Sequence, residues 1–233
     1  MAIKKETSNI KVLAREIEFH GAREFFDFFS SYYIDFWIIE ALPRKLNGER
    51  GAPIAGLIEW KKKLKDGEAE IDRKTYLPFR KPFGSKLVLW NLQKLLAYLL
   101  ASGKKNIDMH IKESPINGQY HRTILIDDLN CNQVDLLQNW WSGPLALIET
   151  SGGNYQAILV VMDRYGLNSN NKLIVARELA RRFDGDKGAV AANQFHRFPG
   201  SSNNKLTVLD GSLPFISRLT LLRESVDGRD GSE

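Results

Sequence analysis

The sequence predicts a mixed fold, α+β or α/β, with an N-terminal helical extension. Three patterns predict it. Runs of β-branched and aliphatic residues at 106–112, 121–128, 145–150, 155–162 and 216–222 have the length and character of strands. Apolar residues at helical spacing lie between them, over 88–101, 133–142 and 171–183. Ahead of both lies an aromatic stretch, 10–42, whose rings recur every three or four residues. The expected division is an extension over 1–86, a main domain over 87–225 and a disordered tail over 226–233.

In the extension, Phe25, Phe28, Tyr32, Phe36 and Ile39 form one helical row. Phe26, Phe29, Tyr33 and Trp37 form a second beside it. A face that wide either packs on the main domain or docks a partner or a second copy. Pro43 and Asn47-Gly48 end the element. Residues 48–86 mix Gly, Pro and charge. Trp60, Lys61, Lys62 and Lys63, then Arg80 and Lys81 after Phe79, interleave rings with cations. That pattern suits a nucleic acid, with cations on phosphates and rings on bases, and equally a solvated basic segment.

Leu89, Leu92, Leu96 and Leu99 place a helix over 88–101, closed by Ser102-Gly103. Ile107, Met109 and Ile111 alternate with polar residues as a strand does, and Pro115-Ile116-Asn117-Gly118 reads as a hairpin turn into the strand 121–128. Val134, Leu137 and Trp141 fall on one side of a short helix. Ser151-Gly152-Gly153-Asn154 joins the next two strands. Such a loop lets backbone amides approach phosphate oxygens, or is simply a tight turn. Leu173, Ala176, Leu179 and Ala180 form the inner face of the helix that runs into Asp184-Gly185-Asp186. A loop from Arg197 to Lys205, with a cation at each end, precedes the last strand.

The strand at 123–126 ends in two adjacent carboxylates, Asp127 and Asp128. Burying charge costs several kcal/mol unless it is paired or binds a metal. The pair is therefore a candidate divalent-cation site, or else a strand end whose solvated acids cap the next helix. Successive side chains of a strand point to opposite faces, so the two acids share one ion only if the chain turns there. Asp184 and Asp186, just past a helix C-terminus, need a nearby cation as well. Arg181 and Arg182 supply one in one reading, and a bound metal supplies it in the other.

The 233 residues, 43% hydrophobic and 26% charged, suffice for one large domain or a domain with an appendage. A net charge of +5 and a pI near 9.2 are compatible with a nucleic-acid partner without establishing one. The single Cys131 excludes an internal disulfide framework and suits a cytoplasmic protein. The chain has neither an apolar run of ~18 residues nor the apolar core of a signal peptide, so no membrane partner is expected.

The order of the motifs is more specific than any one of them. Ile-Leu-Ile-Asp-Asp-Leu (124–129) is followed by Glu-Thr-Ser-Gly-Gly-Asn-Tyr-Gln-Ala (149–157) and Asp-Gly-Asp (184–186). Arg-Phe-Pro-Gly-Ser-Ser-Asn-Asn-Lys (197–205) and Leu-Leu-Arg-Glu-Ser (221–225) complete the series. This series resembles that of the RepB-type plasmid replication primases, a branch of the archaeo-eukaryotic primase (AEP) superfamily. The resemblance covers roughly 88–225, and residues before about 85 carry none of it.

The resemblance implies a primase-like catalytic core of two α/β units around a mixed sheet, one of them similar to an RNA-recognition motif. It implies two-metal nucleotidyl transfer with Mg²⁺ or Mn²⁺. By motif match Asp127, Asp128 and Asp186 are the catalytic metal carboxylates, with Asp184 a weaker candidate. Ser151, Asn154, Gln156, Arg197, Asn203 and Lys205 fall in the motifs that bind the incoming nucleotide. The wider superfamily has His where this chain and its branch have Gln156, which can hydrogen-bond a phosphate or base but carries no charge. His196 does not match the branch's pattern.

The function so implied is metal-dependent synthesis of short primers on single-stranded DNA in plasmid, phage or other mobile-element replication. Its substrates are nucleoside triphosphates, ribo- or deoxy-. A replicative helicase or another replication protein is a further partner this allows. The branch often carries a helical bundle after the catalytic domain. Either the chain is a fragment of a longer protein, or residues 10–85 bind template instead. The alternatives are a non-catalytic replication-initiation module and a primer-extending polymerase.

Overall fold

The computed structural model describes residues 21–43, 54–59, 88–89, 107–115, 119–162, 166–191, 194–204 and 214–225. The elements are helix α1 (Ala22–Ser30), strands β1 (Phe36–Pro43), β2 (Ile54–Glu59), β3 (Val88–Leu89), β4 (Ile107–Glu113), β5 (Tyr120–His121) and β6 (Thr123–Leu129), and helix α2 (Cys131–Trp140). Strands β7 (Leu145–Ser151), β8 (Asn154–Val160) and β9 (Leu167–Asn168), helix α3 (Ser169–Arg182), and strands β10 (His196–Arg197), β11 (Ser202–Asn203), β12 (Phe215–Ile216) and β13 (Arg218–Arg223) follow.

Two sheets dominate. One has five strands in the order β10-β4-β1-β2-β3, the other four in the order β13-β7-β8-β6. All their pairings are antiparallel except β2 with β3. The four-stranded sheet is covered on both faces. On one, Ile124, Ile126, Leu145, Leu147, Ala157 and Leu159 pack with Val134 and Leu137 of α2 and Ala176 and Leu179 of α3. On the other, Ala146, Ile148, Ile158 and Val160 join the rings of α1 and the apolar side chains of β1 and β4. Burial on both faces is why β7 and β8 read as continuous apolar runs rather than alternating ones.

The aromatic rows do not continue as one helix. α1 ends at Ser30, and the chain reverses through Tyr33, whose φ is 60°. From Phe36 it is a strand, buried from Phe36 to Leu42. Ring residues four apart satisfy a helical and a strand period alike, and the β-branched Ile38 and Ile39 favour the strand. Most of both rows packs inward: Phe25, Phe26, Phe28, Phe29, Phe36, Trp37 and Ile39 are buried, while Tyr33 is exposed. β1 pairs with β4, so strands from both sides of the expected boundary at 86 share one sheet.

Several boundaries differ from expectation. Val88–Leu89 is a strand rather than a helix start; the remainder of the expected helix lies outside the described residues. β4 and β6 form no hairpin: β4 pairs with β1 and β10, and β6 pairs with β8. The link between them is a side chain. Glu113 at the end of β4 accepts the Arg122 and Thr123 backbone N–H groups at 2.9 and 3.0 Å and meets Lys172 of α3 at 3.3 Å and His121 at 3.1 Å. All three ionisable groups are buried. Burial works to raise the Glu113 carboxyl. Lys172, His121 and the backbone donor outweigh it and hold the group below the usual carboxylate range.

Candidate active site

The paired acids occupy a β-bulge. Between the partners Ile126↔Ala157 and Leu129↔Tyr155, β6 supplies two residues, Asp127 and Asp128, where β8 supplies one, Gln156. Asp128 turns into the left-handed region at φ 63°, a conformation Asp tolerates better than most residues. The extra residue restores the face of the strand, so Ile124, Ile126 and Leu129 all stay in one core cluster. It also frees the two acids from strict alternation. Residues 154 and 156 of β8 reach one acid each. The Asn154 Nδ2 donates to Asp128 Oδ1, and the Gln156 Nε2 donates to Asp127 Oδ1 at 2.9 Å.

The third acid arrives by main chain. α3 closes with Asp184 at φ 50° and the Gly185 N–H on the Ala180 carbonyl at 2.9 Å, the six-to-one bond of a Schellman end. Gln133, part of the capping box of α2, donates to the Asp184 carbonyl at 3.1 Å. The Asp186 N–H then donates to the Asp127 carbonyl at 2.9 Å. Gly185 is required by contact: a Cβ there would sit 2.9 Å from the Asp127 carbonyl oxygen and 2.9 Å from the Ile126 Cγ2. Asp-Gly-Asp is thus a helix stop whose middle residue lies against the strand end that carries the paired acids.

The site is electrostatically frustrated. The Asp127 carboxyl is raised above the ordinary aspartate value, first by burial, and its neighbours Asp128 and Asp186 push it further up. The N–H groups of Gln156 and Asp128, at 2.9 and 2.8 Å, pull the other way. The two arginines at the end of α3 do not offset this charge. Arg181 pairs with Glu178 at 2.6 Å, and Arg182 lies over the Trp140 ring at 4.6 Å.

A polar chain leads from Asp127 into the other sheet. The Gln156 Oε1 accepts the Arg197 backbone N–H at 2.7 Å. The Arg197 guanidinium pairs with the buried Asp108 at 3.1 Å and donates to Asn203 Oδ1 at 3.1 Å. Asn203 Nδ2 donates to the Thr150 carbonyl at 2.8 Å, and Asn204, buried beside it, donates its N–H to Asp108 at 3.0 Å. Of the residues expected at the nucleotide, Asn154, Gln156, Arg197 and Asn203 therefore converge and are bonded to protein groups. Ser151 is half-buried on the β7–β8 hairpin. Lys205, Trp60, Lys61, Lys62, Lys63, Arg80 and Lys81 lie outside the described residues.

His196 belongs to the core. It lies between the rings of Phe25 and Trp37, with centroids at 5.8 and 6.1 Å, and burial pushes it down to about 4, so the imidazole is neutral. Asp108, Gln133 and the close packing of Gly185 are features that the motifs do not single out. The spacing of Ile126 and Leu129 by three, where a strand gives two, was the available sign of the bulge. Nothing in the sequence marks Asp108 as the partner of Arg197.

The donors suit a divalent cation. Carboxylate oxygens are the hard ligands that magnesium and manganese take, and three mutually repelling carboxylates are what such an ion relieves. No closed cage is preassembled: among the described residues no group of three acidic, His or Cys side chains stands ready to hold an ion. The Asp186 carboxylate is turned to the Gly188 N–H at 2.7 Å. Among the described residues no helix is long and apolar enough to cross a membrane.

Mobilization protein A of Escherichia coli is 32% identical over 120 residues, 51% of this chain and 16% of that protein. A DNA primase of Acidithiobacillus ferrooxidans is 35% identical over 111 residues, 46% of this chain and 30% of that protein. The chain thus spans less than a third of either relative. Among solved structures, primase RepB′ matches with a TM-score of 0.50 at 19% identity, over 93% of this chain and 56% of that one. The catalytic domain of primase RepB′ in complex with initiator DNA matches with a TM-score of 0.51 at 19% identity, over 93% and 84%. At that identity the likeness is one of fold, and the fold is a mixed α+β one, the first of the two classes expected. The family model of the RepB DNA-primase N-terminal domain matches residues 100–226, more than half of the chain. The chain belongs to that family.

Proposed function

We propose that the chain is the catalytic part of a DNA primase of the archaeo-eukaryotic superfamily, a nucleotidyltransferase that lays short primers on single-stranded DNA in plasmid or other mobile-element replication. The observation that carries this is the bond from the Asp186 N–H to the Asp127 carbonyl, which seats a third acid beside a pair brought together by a bulge. A binding module has no use for acids gathered so that two of them disfavour the charge of a third.

In this reading Asp127, Asp128 and Asp186 hold Mg²⁺ or Mn²⁺, which when bound activates a 3′-hydroxyl and offsets charge on the departing pyrophosphate. The protein's own part is placement. The bulge sets the paired acids at a strand end, Gly185 lets the third approach, and α2 fixes the loop through Gln133. Nucleoside triphosphates lie toward the β7–β8 hairpin with Ser151, and Lys205 supplies a cation. Template lies on the basic, aromatic segment holding Trp60, Lys61, Lys62, Lys63, Arg80 and Lys81. The initiator DNA bound by the RepB′ catalytic domain supports a DNA partner here. A replicative helicase is a further partner, and the cytoplasm is the compartment.

The test is incubation with Mn²⁺ or Mg²⁺, labelled nucleotides and an unprimed single-stranded template. New oligomers that disappear in Asp127→Ala are expected. Extension only of a supplied primer would make the chain a polymerase, and DNA binding without synthesis would make it a replication-initiation module.

A further inference from the structure

We propose that Gln156 is a positioning residue for the metal carboxylate Asp127, braced from the second sheet by Arg197, and does not contact the nucleotide. This rests on the primase reading and deepens it. Gln156 is 6% exposed and stands opposite the bulge. An amide has a donor end and an acceptor end, and both are engaged. Nε2 donates to Asp127 Oδ1 at 2.9 Å, and Oε1 accepts the Arg197 N–H at 2.7 Å. Only this orientation works, because a flipped amide would set its carbonyl against the carboxylate and its NH₂ against an N–H.

The far end of the brace is itself fixed. Arg197 lies in β10, at the edge of the five-stranded sheet, and its guanidinium is bonded to buried Asp108 and to Asn203. Gln156 therefore ties the bulge of one sheet to an anchored strand of the other. The N–H groups of Gln156 and Asp128 both fall on Oδ1 of Asp127, which leaves Oδ2 as the oxygen to offer a cation. A side chain of this kind, one bond behind a metal carboxylate, is worth about 10–100-fold in metal affinity. Asn154 stands in the same relation to Asp128.

The test separates ion from nucleotide in Gln156→Met, which keeps the length and drops both hydrogen bonds. Mn²⁺ binding is measured without nucleotide, by electron paramagnetic resonance of the free ion. Nucleotide KM is measured separately at saturating Mn²⁺. Affinity for Mn²⁺ should fall by at least about tenfold while nucleotide KM stays within about twofold. Unchanged Mn²⁺ affinity with a tenfold rise in nucleotide KM would overturn the assignment.

In an Asp127→Asn background the same substitution should add no further loss of Mn²⁺ affinity; an added tenfold loss would overturn it too. Should Gln156→Met fail to melt cooperatively, Gln156→Glu keeps the acceptor for Arg197 and puts a negative charge in place of the donor. Its nucleotide KM at saturating Mn²⁺ stays unchanged if Gln156 is remote from the triphosphate, and a tenfold rise would refute that. The Mn²⁺ comparison stands even if the wild-type chain makes no primers, so failure of the primase reading is seen separately.

Discussion

Gly185→Ala tests the geometry that joins the three acids. The backbone there is not left-handed, so alanine is conformationally acceptable and the whole effect comes from contact. The new Cβ would lie 2.9 Å from the Asp127 carbonyl oxygen and from the Ile126 Cγ2, where ordinary contacts begin at 3.4 Å. The loop must therefore back off by about 0.5 Å, and Ile126 is fixed in the core on the far side. That displacement takes the Asp186 N–H···O bond from 2.9 Å to the edge of hydrogen-bonding distance. A misplacement of ~1 Å can cost ~10²-fold in rate, so half of that should cost roughly tenfold. Overpacking adds about 1–3 kcal/mol of destabilisation, which is a few degrees to about 10 °C in a chain of this size. Primer synthesis on unprimed template and thermal melting measure the two effects. Wild-type activity with an unshifted Tm would show that the loop does not depend on this approach and would refute the reasoning.

Asp128→Ala should lower turnover by at least ~10²-fold, the scale of losing one preorganised electrostatic group, with a destabilisation of only about 1–2 kcal/mol, because Asp128 is exposed and the cost is that of alanine at a left-handed φ of 63°. Glu113→Gln should destabilise the fold by about 3–5 kcal/mol, since it leaves the Lys172 ammonium buried without its counter-charge; denaturant unfolding checks it. The wild-type Glu113 carboxyl is held below the unfolded value of about 4.3. Its stabilisation is complete above that pH and lost as pH falls through the lower folded value, so melting temperature should drop on acidification below about pH 4, and Glu113→Gln should lack that component. Neutralising Lys61, Lys62 and Lys63 together should weaken DNA binding and flatten its salt dependence by up to about three charges' worth of slope; an unchanged slope would make the segment a solvated one.

The candidate acids can be picked out in the sequence because two adjacent carboxylates stand out at the end of an apolar strand. Asp127 and Asp128 closed the run Thr123–Ile126, and Asp186 followed a helix whose period was clear. What brought them together was less visible. A bulge has almost no composition of its own; here its only trace was the three-residue step from Ile126 to Leu129. The role of Gly185 lies in a contact with a residue 58 positions earlier, which no local pattern encodes.

The strand in the aromatic stretch is hidden for a related reason. Phe25 to Ile39 keep one spacing through two structures, and the reversal at Tyr33 rests on a single positive φ. Burial on both faces removed the alternation that would have marked β1 as a strand. The hairpin expected after β4 is not formed because β4 and β6 belong to different sheets, which Glu113 joins by side chain; residues 116–118 of the expected turn lie outside the described residues.

The way the third acid is attached decides how mutants of the first should be read. Asp186 is held to the backbone carbonyl of Asp127, not to its carboxylate. Asp127→Asn therefore removes a charge without releasing the Asp184–Asp186 loop, and the loop's other ties, Gln133 and the Ala180 carbonyl, do not involve residue 127. The amide also relieves the repulsion that Asp128 and Asp186 exert on that position. A metal-site mutant that melts as high as wild type, or higher, and makes no primer is the combination this attachment requires. Stability is then set against function at the bulge itself: burial and two acidic neighbours disfavour the Asp127 carboxylate in the folded chain, and a bound cation would offset that cost as the amide does.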